Sequence, residues 1–190
     1  GLEYVGGKVV TSVDPDRVLK ADRVILPGVG AMRDCMAEIR RLGFDTLVRE
    51  VSSDRPFLGI CVGMQALLEY SEENDGVDCI GVFDGEVKHF GESMIENKLR
   101  LKVPHMGWNQ VEFKKDFMLF SGLKNRSHMY FLHSYEFLTK QKDYIIATTN
   151  YGNSIVVAVA KENIFGTQFH PEKSQKNGLK ILENFLKWEL

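Results

Sequence analysis

A cysteine lies where the chain is predicted to turn from a strand into a helix, and its sulfur could act as a nucleophile. Cys61 is the centre of Gly59-Ile60-Cys61-Val62-Gly63, which follows the apolar run 56–58 and opens a helical pattern over 62–70. Flanking glycines are typical of a nucleophile elbow, because a side chain there would collide with the sharply turned backbone. A helix N-terminus also favours thiolate over thiol. The same pattern is equally compatible with an inert, buried cysteine on a tight bend.

A histidine and a glutamate two residues apart could serve as the base and its orienting group. Phe169-His170-Pro171-Glu172 ends an apolar strand, and Pro171 favours extended backbone at His170. Residues two apart then project to the same side, so Glu172 can fix the imidazole tautomer and stabilise the imidazolium. A solvated His-Pro turn at a strand end is the alternative interpretation.

A glycine-rich strand end could supply an oxyanion donor. In Pro27-Gly28-Val29-Gly30 the Val29 peptide lies between Gly28 and Gly30 and can rotate at little steric cost, which would present its N–H to an oxyanion. The N–H of Val62, directly after the nucleophile, would be the second donor. An ordinary strand-to-helix turn or a phosphate cradle is equally consistent with these glycines.

The elements around these motifs predict an α/β fold, with an open, mostly parallel sheet that becomes mixed and has helices on both faces. Strands 23–26 and 57–60 flank a helix over 31–51 that Gly43 interrupts. The second half is predicted to hold strands 81–90, 108–113, 129–137, 144–150, 154–160 and 164–169, then a helix over 175–188 with Ser174 as its N-cap.

Length and composition predict one domain, 1–190, in a soluble cytoplasmic protein. The chain has 24 basic and 26 acidic residues, which argues against a nucleic-acid partner. Cys35, Cys61 and Cys79 form no C-x-x-C pair, so neither a disulfide scaffold nor a zinc site is expected. No apolar stretch approaches the roughly 20 residues that cross a membrane. We expect no metal and no cofactor, and interpret His105 and His133 as hydrogen-bonded structural histidines.

Taken together, the order Cys…His-x-Glu on a parallel sheet resembles the class I (triad) glutamine amidotransferases. Residues 59–65 are similar to the family's G-[IV]-C-L-G-M-Q, with Val62 in place of leucine, and 166–174 resemble G-x-Q-F-H-P-E-x-S. Within the family, segments 27–31, 104–109 and 130–135 resemble the glutaminase subunits of imidazole glycerol phosphate synthases. The resemblance covers essentially the whole chain and implies a flavodoxin-like fold.

The resemblance implies that Cys61 hydrolyses glutamine through a thioester. Ammonia would pass to a cyclase (β/α)₈-barrel partner in a heterodimer that makes imidazole glycerol phosphate and aminoimidazole carboxamide ribonucleotide in histidine biosynthesis, with no nucleic-acid or membrane partner. The expected roles of further residues are substrate binding by Gly28, Gln65, Ser134 and Tyr135, and partner contact by Pro104, Met106, Trp108 and Asn109. Because the family begins with a strand, and 1–7 look like the end of a helix, we expect the sheet to lack its first strand.

Three other functions remain compatible with the sequence. A paralogous amidotransferase would feed ammonia to a sugar amidination enzyme. A free-standing cysteine hydrolase would use the same elbow on esters or lactones without a partner. A non-catalytic flavodoxin-like module would carry Cys61 only as a turn residue. Stoichiometric labelling of Cys61 by a glutamine-derived electrophile would separate the amidotransferase from the inert module.

Overall fold

The structure, a computed structural model, describes residues 1–91, 94–96 and 98–189. The helices of these ranges are α1 Pro15–Val18, α2 Met32–Arg41, α3 Phe44–Asp54, α4 Val62–Gln65 and α5 Gln175–Leu186. The strands are β1 Val24–Gly28, β2 Phe57–Cys61, β3 Tyr70–Ser71, β4 Val77–Asp78, β5 Glu86–His89, β6 Ile95–Glu96, β7 Leu99–Arg100, β8 His105–Phe113, β9 Ser127–His133, β10 Tyr135–Leu138, β11 Ile145–Tyr151, β12 Asn153–Lys161 and β13 Ile164–Thr167.

The main sheet is mixed, as the sequence predicts. Its seven strands follow the order β1-β2-β13-β12-β11-β8-β9. The first three are parallel, and every later neighbour pairs antiparallel. A four-stranded sheet, β10-β5-β3-β4, and the hairpin β6-β7 complete the described strands. The parallel strands end at the elbow, so the sheet places its ligand-facing edge there.

Both faces of the main sheet are covered, and neighbouring residues of β13 show this. Phe165 stacks on Phe117 at 5.4 Å between ring centroids, and Phe117 meets Trp188, just after α5. Gly166 faces the other way, because a Cβ on it would lie 2.6 Å from Met64 Cγ in α4. Since successive strand residues point to opposite faces, α4 and the C-terminal segment lie on opposite sides of the sheet.

The predicted interrupted helix is confirmed. Helices α2 and α3 are separated at Gly43, which adopts the left-handed conformation with φ 71°. Met32 and Met36 of α2 are fully buried, in keeping with the helical spacing of the apolar positions. The end of a helix predicted for 1–7 also appears, as a 3-10 turn over Glu3–Val5 followed by Gly6 with φ 93°.

The predicted helix over 62–70 is too long, because α4 ends at Gln65. The next carbonyls are taken by another segment: Ala66 O accepts from Ile80 N, and Leu67 O accepts from Val82 N. Tertiary hydrogen bonds therefore replace the helical ones after a single turn. The sequence over 66–70 is apolar at helical spacing, but the partner segment decides its conformation.

Two predicted strands are also wrong in extent. Only Glu86–His89 of the predicted strand 81–90 is extended in a sheet. The predicted strand 129–137 is two strands, β9 and β10, which break at Ser134 and belong to different sheets. This break matters for the site, because it turns the backbone at the residues that the resemblance assigns to substrate binding.

The main sheet curls until its last strand reaches the elbow. In pairing order β9 lies five strands from β2. Nevertheless, the Cys61 thiol points at Leu132 O, 3.8 Å from Sγ, and His170 N donates to Tyr130 O at 2.9 Å. The hairpin β8–β9 therefore forms one wall of the candidate site.

No helix in the described ranges combines the length and apolar character required to span a bilayer.

Candidate active site

Cys61 occupies a strained backbone conformation at the elbow. Its φ of 53° and ψ of −113° are disfavoured for a residue with a Cβ, at a typical cost of about 1–3 kcal/mol. Gly63 makes the turn possible, since a Cβ there would lie 2.0 Å from Leu26 O. A Cβ on Gly59 would lie 2.9 Å from Gly63 O. The two glycines are thus required by close backbone contacts around Cys61.

The sulfur of Cys61 is enclosed by polar groups. Cys61 is buried, with 5% of its surface exposed. The Gln168 side chain donates to Sγ at 3.6 Å from Nε2, and the Leu132 carbonyl lies on another side of the sulfur. Gln168 is not among the residues predicted from the sequence, although it stands in the motif that identifies His170 and precedes that histidine by two positions.

His170 and Glu172 meet as predicted. The imidazole Nδ1 donates to Glu172 Oε1 at 2.8 Å, which leaves Nε2 for the sulfur. The neighbouring Cys61 sulfur and then the Glu172 carboxylate raise the pKa of His170 to about 9, against the opposing effect of burial. Burial raises the pKa of Glu172, but the hydrogen bond to His170, a backbone hydrogen bond and the charges of His170 and Lys173 together lower it overall. The three residues are connected in an arrangement that could serve as nucleophile, base and orienting carboxylate.

The backbone of His170 is held by a serine and by a direct helix contact. The Ser174 hydroxyl donates to His170 O at 2.7 Å and accepts from Tyr130 N at 2.9 Å. Ser174 occupies the N-cap position of α5, but the expected side-chain cap is not formed, because its hydroxyl makes these two bonds. A Cβ on Gly178 would lie 1.8 Å from Pro171 O, so α5 packs directly against the turn.

Two of the predicted substrate-binding residues lie together beside Cys61. Gln65 is buried, and its Nε2 donates to Gln168 Oε1 at 2.8 Å and to Tyr135 O at 3.3 Å. Ser134 and Tyr135 are half-buried at the junction of β9 and β10. Gln65 and Tyr135 are therefore joined to each other and, through Gln168, to Cys61.

The predicted oxyanion segment lies against the elbow. Gly28 pairs with Cys61 in the β1–β2 register, and a Cβ on Gly28 would lie 2.4 Å from Gly63 N. Val62 is the first residue of α4, while Val29 is 78% exposed and Gly30 has φ 97°. The Val29 carbonyl accepts from the Cys35 thiol at 3.4 Å. The strand end thus lies beside Cys61, with the side chain of Val29 exposed.

His105 and His133 are hydrogen-bonded to each other, in agreement with the sequence interpretation. His105 Nδ1 lies 3.1 Å from His133 Nε2, and both side chains are buried. Burial lowers the pKa of His105 to about 4 and that of His133 to about 3. In the described part of the chain, no three His, Cys, Asp or Glu side chains are grouped so that they could hold a metal ion.

These low pKa values predict that the protein loses stability in mild acid. The unfolded chain, with histidine pKa near 6.5, binds protons before folded His105 does, so stability present above pH 6.5 is lost as pH falls toward 4. When the pH falls from 6.5 to 4.5, the free energy of unfolding of His105→Gln should decrease by about 2–3 kcal/mol less than that of the parent. Urea unfolding at both pH values measures this. Exposed His128→Gln is the control, and an equal loss in parent and His105→Gln would contradict the prediction.

The residues predicted to contact a partner lie around an exposed apolar face next to the site. Met106 is 66% exposed, Trp108 47% and Leu132 38%, and Met106 pairs with Leu132 across β8 and β9. Pro104 is exposed at the start of this hairpin, and Asn109 is half-buried. Since Leu132 presents its carbonyl to Cys61 and its side chain outward, the face adjoins the Cys61 sulfur directly.

Comparison with known proteins identifies the family. The family model of class I glutamine amidotransferases matches residues 8–188. The chain is 55% identical to the imidazole glycerol phosphate synthase subunit HisH of Pseudomonas putida over 99% of this chain and 89% of the relative. It is 49% identical to that of Acinetobacter baylyi over 100% of this chain and 90% of the relative.

Solved structures agree at the level of the fold. A glutamine amidotransferase crystal structure covers 97% of this chain and 89% of its own with a TM-score of 0.71 and 19% identity. A glutamine amidotransferase from Thermotoga maritima covers 96% and 67% with a TM-score of 0.59 and 18% identity. With its elbow cysteine and its strand-end histidine and glutamate, the chain belongs to the class I glutamine amidotransferases and, among them, to the HisH subunits of imidazole glycerol phosphate synthase.

Proposed function

We propose that this chain is a single glutaminase domain, 1–190, which supplies ammonia to the cyclase of an imidazole glycerol phosphate synthase in histidine biosynthesis. The observation that carries the proposal is the joining of Cys61, His170 and Glu172 at the elbow of a chain 55% identical to HisH subunits. The fold, the family match and the exposed face beside the sulfur support the same conclusion.

In the first half of the reaction Cys61 becomes acylated. His170 takes the thiol proton, the sulfur attacks the side-chain amide carbon of glutamine, and the carbonyl oxygen gains the negative charge. The N–H groups of Val62 and of Val29, between Gly28 and Gly30, stabilise this oxyanion. The carbon–nitrogen bond then breaks, and His170 returns the proton to the leaving ammonia. A γ-glutamyl thioester remains on Cys61.

In the second half water releases glutamate. His170, neutral again after ammonia leaves, removes a proton from water, and the resulting hydroxide attacks the thioester carbon. The carbon–sulfur bond breaks, the sulfur is reprotonated and glutamate departs. Glu172 accepts from Nδ1 throughout, so that Nε2 always faces the reacting atoms. The chain's own side chains supply all the acid–base chemistry of this route.

Gln65, Ser134 and Tyr135 hold the α-amino and α-carboxylate groups of glutamine in this proposal. Gln65 already uses its amide nitrogen on Gln168 and Tyr135, so its oxygen is the atom that would accept from the α-ammonium group. The break between β9 and β10 at Ser134 supplies a turned backbone for the carboxylate.

The cyclase partner, a (β/α)₈ barrel in a heterodimer, binds the exposed face formed by Pro104, Met106 and Trp108 and also contacts Asn109, which is half-buried beside that face. Exposed apolar side chains of this size, with an aromatic residue among them, are typical of the centre of a protein interface. The face lies directly across β9 from Cys61, so ammonia released there would leave toward the partner. We place the complex in the cytoplasm.

The proposal is tested by measuring glutamate release with the cyclase partner and its nucleotide ligand present and absent. We expect glutaminase activity to rise by on the order of 10²–10³ when the liganded partner binds, because completing an oxyanion hole has an effect of that size. Equal rates with and without the partner would overturn the proposed coupling. Diazo-oxo-norleucine should label Cys61 stoichiometrically, and an unreactive thiol would overturn the glutaminase assignment itself.

A further inference from the structure

Two buried histidines lie between the exposed face and the catalytic cysteine, and the reaction described above uses neither. His105 and His133 are 3% and 6% exposed and belong to neighbouring strands, paired directly in the β8–β9 register. Each ring nitrogen of both residues has a polar partner. Fully partnered buried polar groups of this kind specify one arrangement of donors and acceptors.

A series of hydrogen bonds leads from Asn109 through His105 to His133. Its Oδ1 accepts from Gln110 N at 2.8 Å, which fixes the orientation of the amide. Its Nδ2 then faces Asn150 O at 2.9 Å and His105 Nε2 at 3.3 Å. His105 Nε2 is therefore an acceptor, and its Nδ1–H donates to His133 Nε2.

The inner half of the series ends at one carbonyl. His133 Nδ1 lies 2.8 Å from Tyr135 O, so this nitrogen carries the proton and donates. Gln65 Nε2 donates to the same oxygen and also to Gln168, and Gln168 donates to the Cys61 sulfur. The Tyr135 carbonyl thus joins a series that starts at Asn109 to one that ends at the nucleophile.

Packing allows little movement in the middle of this series. The His105 ring is stacked between Phe131, at 4.6 Å between centroids, and Tyr151, at 4.0 Å. Burial holds the pKa of both histidines low, so each is neutral near pH 7 and carries one ring proton. A change at Asn109 can then be accommodated by a shift along the hydrogen bonds more readily than by rotation of the rings, because the Tyr135 carbonyl only accepts and so keeps the proton on His133 Nδ1.

We propose that His105 and His133 are positioning residues that couple Asn109, which is half-buried on the His105 side of β8 beside the exposed apolar face, to Gln65, Gln168 and the Cys61 sulfur. The inference rests on the proposed function, because it names the route by which partner contact would reach the nucleophile. A partner group that takes the Asn109 amide would alter the acceptor at His105, and the change would pass through the Tyr135 carbonyl. Typical coupling between sites is about 5- to 150-fold in an equilibrium constant.

The test compares Asn109→Ala and His105→Asn with the control Glu112→Gln. Asn109→Ala removes the first donor at a half-buried position. His105→Asn can keep a donor near the Nδ1 position, but it removes the acceptor for Asn109. Glu112 lies on the same strand, is partly exposed and pairs with Lys114 outside the series. The first readout is the NMR spectrum of the isolated full chain, with assigned imidazole ¹⁵N and side-chain amide signals.

In the isolated chain, Asn109→Ala should shift the His133 imidazole signals and the side-chain amides of Gln65 and Gln168, whereas Glu112→Gln should leave them in place. Shifts that stop at His105 would overturn the proposal. This readout needs no catalysis, so it remains informative even if the chain proves not to be a glutaminase.

The second readout is kinetic and uses the complex with the cyclase at saturating concentration. Asn109→Ala and His105→Asn should each lower the partner-stimulated kcat about tenfold, with KM for glutamine within about twofold of the parent, whereas Glu112→Gln should keep the parent kcat. Saturation separates this effect from weaker binding, which is measured separately as Kd. Full stimulation in either variant would overturn the coupling. If His105→Asn proves only to destabilise the fold, the Asn109→Ala result decides whether the coupling exists.

Discussion

Replacing Cys61 by alanine is expected to lower glutaminase activity by on the order of 10⁴-fold or more, because no other group in the site can form the thioester. His170 and Glu172 would remain in place without an atom to attack the amide carbon. Glutamate release by the complex with the cyclase, under full stimulation, measures the loss. Cys61→Ser should also be severely impaired, because a hydroxyl is a poorer nucleophile than a thiol at this elbow.

Two controls make this result specific. Cys79→Ala removes a half-buried thiol, whose pKa burial raises to about 12, and should keep the parent rate. Ammonium salt added to the Cys61→Ala complex should restore formation of the cyclase product, since ammonia is what the glutaminase would supply. Near-parent glutamine hydrolysis by Cys61→Ala would refute the thioester route.

Gly63→Ala is expected to disrupt the elbow more than any other single-methyl addition beside Cys61. The added Cβ would lie 2.0 Å from Leu26 O, so the end of β1 and the start of α4 must separate. Overpacking of this kind costs on the order of 1–3 kcal/mol and occasionally more. The clash here is with backbone atoms, which cannot rotate away as the end of a side chain can. A displacement of about 1 Å at the sulfur can reduce the rate about 10²-fold.

Chemical unfolding and glutaminase assays of the same preparation measure both effects. Gly43→Ala is the matched control, because its Cβ meets no atom within 4 Å and only its φ of 71° is unfavourable for alanine. That variant should lose on the order of 1 kcal/mol while keeping its activity. A Gly63→Ala protein as stable and active as Gly43→Ala would show that the close contact at Leu26 is not required.

Much of the local geometry of the candidate site was predictable because it depends on local sequence patterns. The glycines around Cys61 and the proline between His170 and Glu172 constrain their own backbone, so the elbow and the strand-end pair follow from neighbouring residues. Gly43 likewise marks the break between α2 and α3. The family resemblance then added the substrate and partner, and the comparisons confirm the family. The roles of the individual catalytic, oxyanion, substrate-binding and partner-contact residues remain predictions.

The errors occur where distant segments compete for the backbone. Carbonyls of residues 66 and 67 bond to the 80–82 segment, so α4 ends after one turn. The break at Ser134 and the curl of the sheet arise from pairing between strands far apart in sequence. Gln168 and the serine hydroxyl of residue 174 act on groups about 107 and 44 residues away, respectively, which no local periodicity indicates.

The left-handed backbone of Cys61 brings the durability of the fold and the turnover of the enzyme into conflict at this one residue. A glycine would occupy φ 53° without steric penalty and would fold there more favourably, yet it would have no sulfur. A stabilising substitution at this residue is therefore selected against for as long as the organism requires the reaction. Attempts to raise thermal tolerance should leave the elbow untouched and look for their gains in surface loops remote from it.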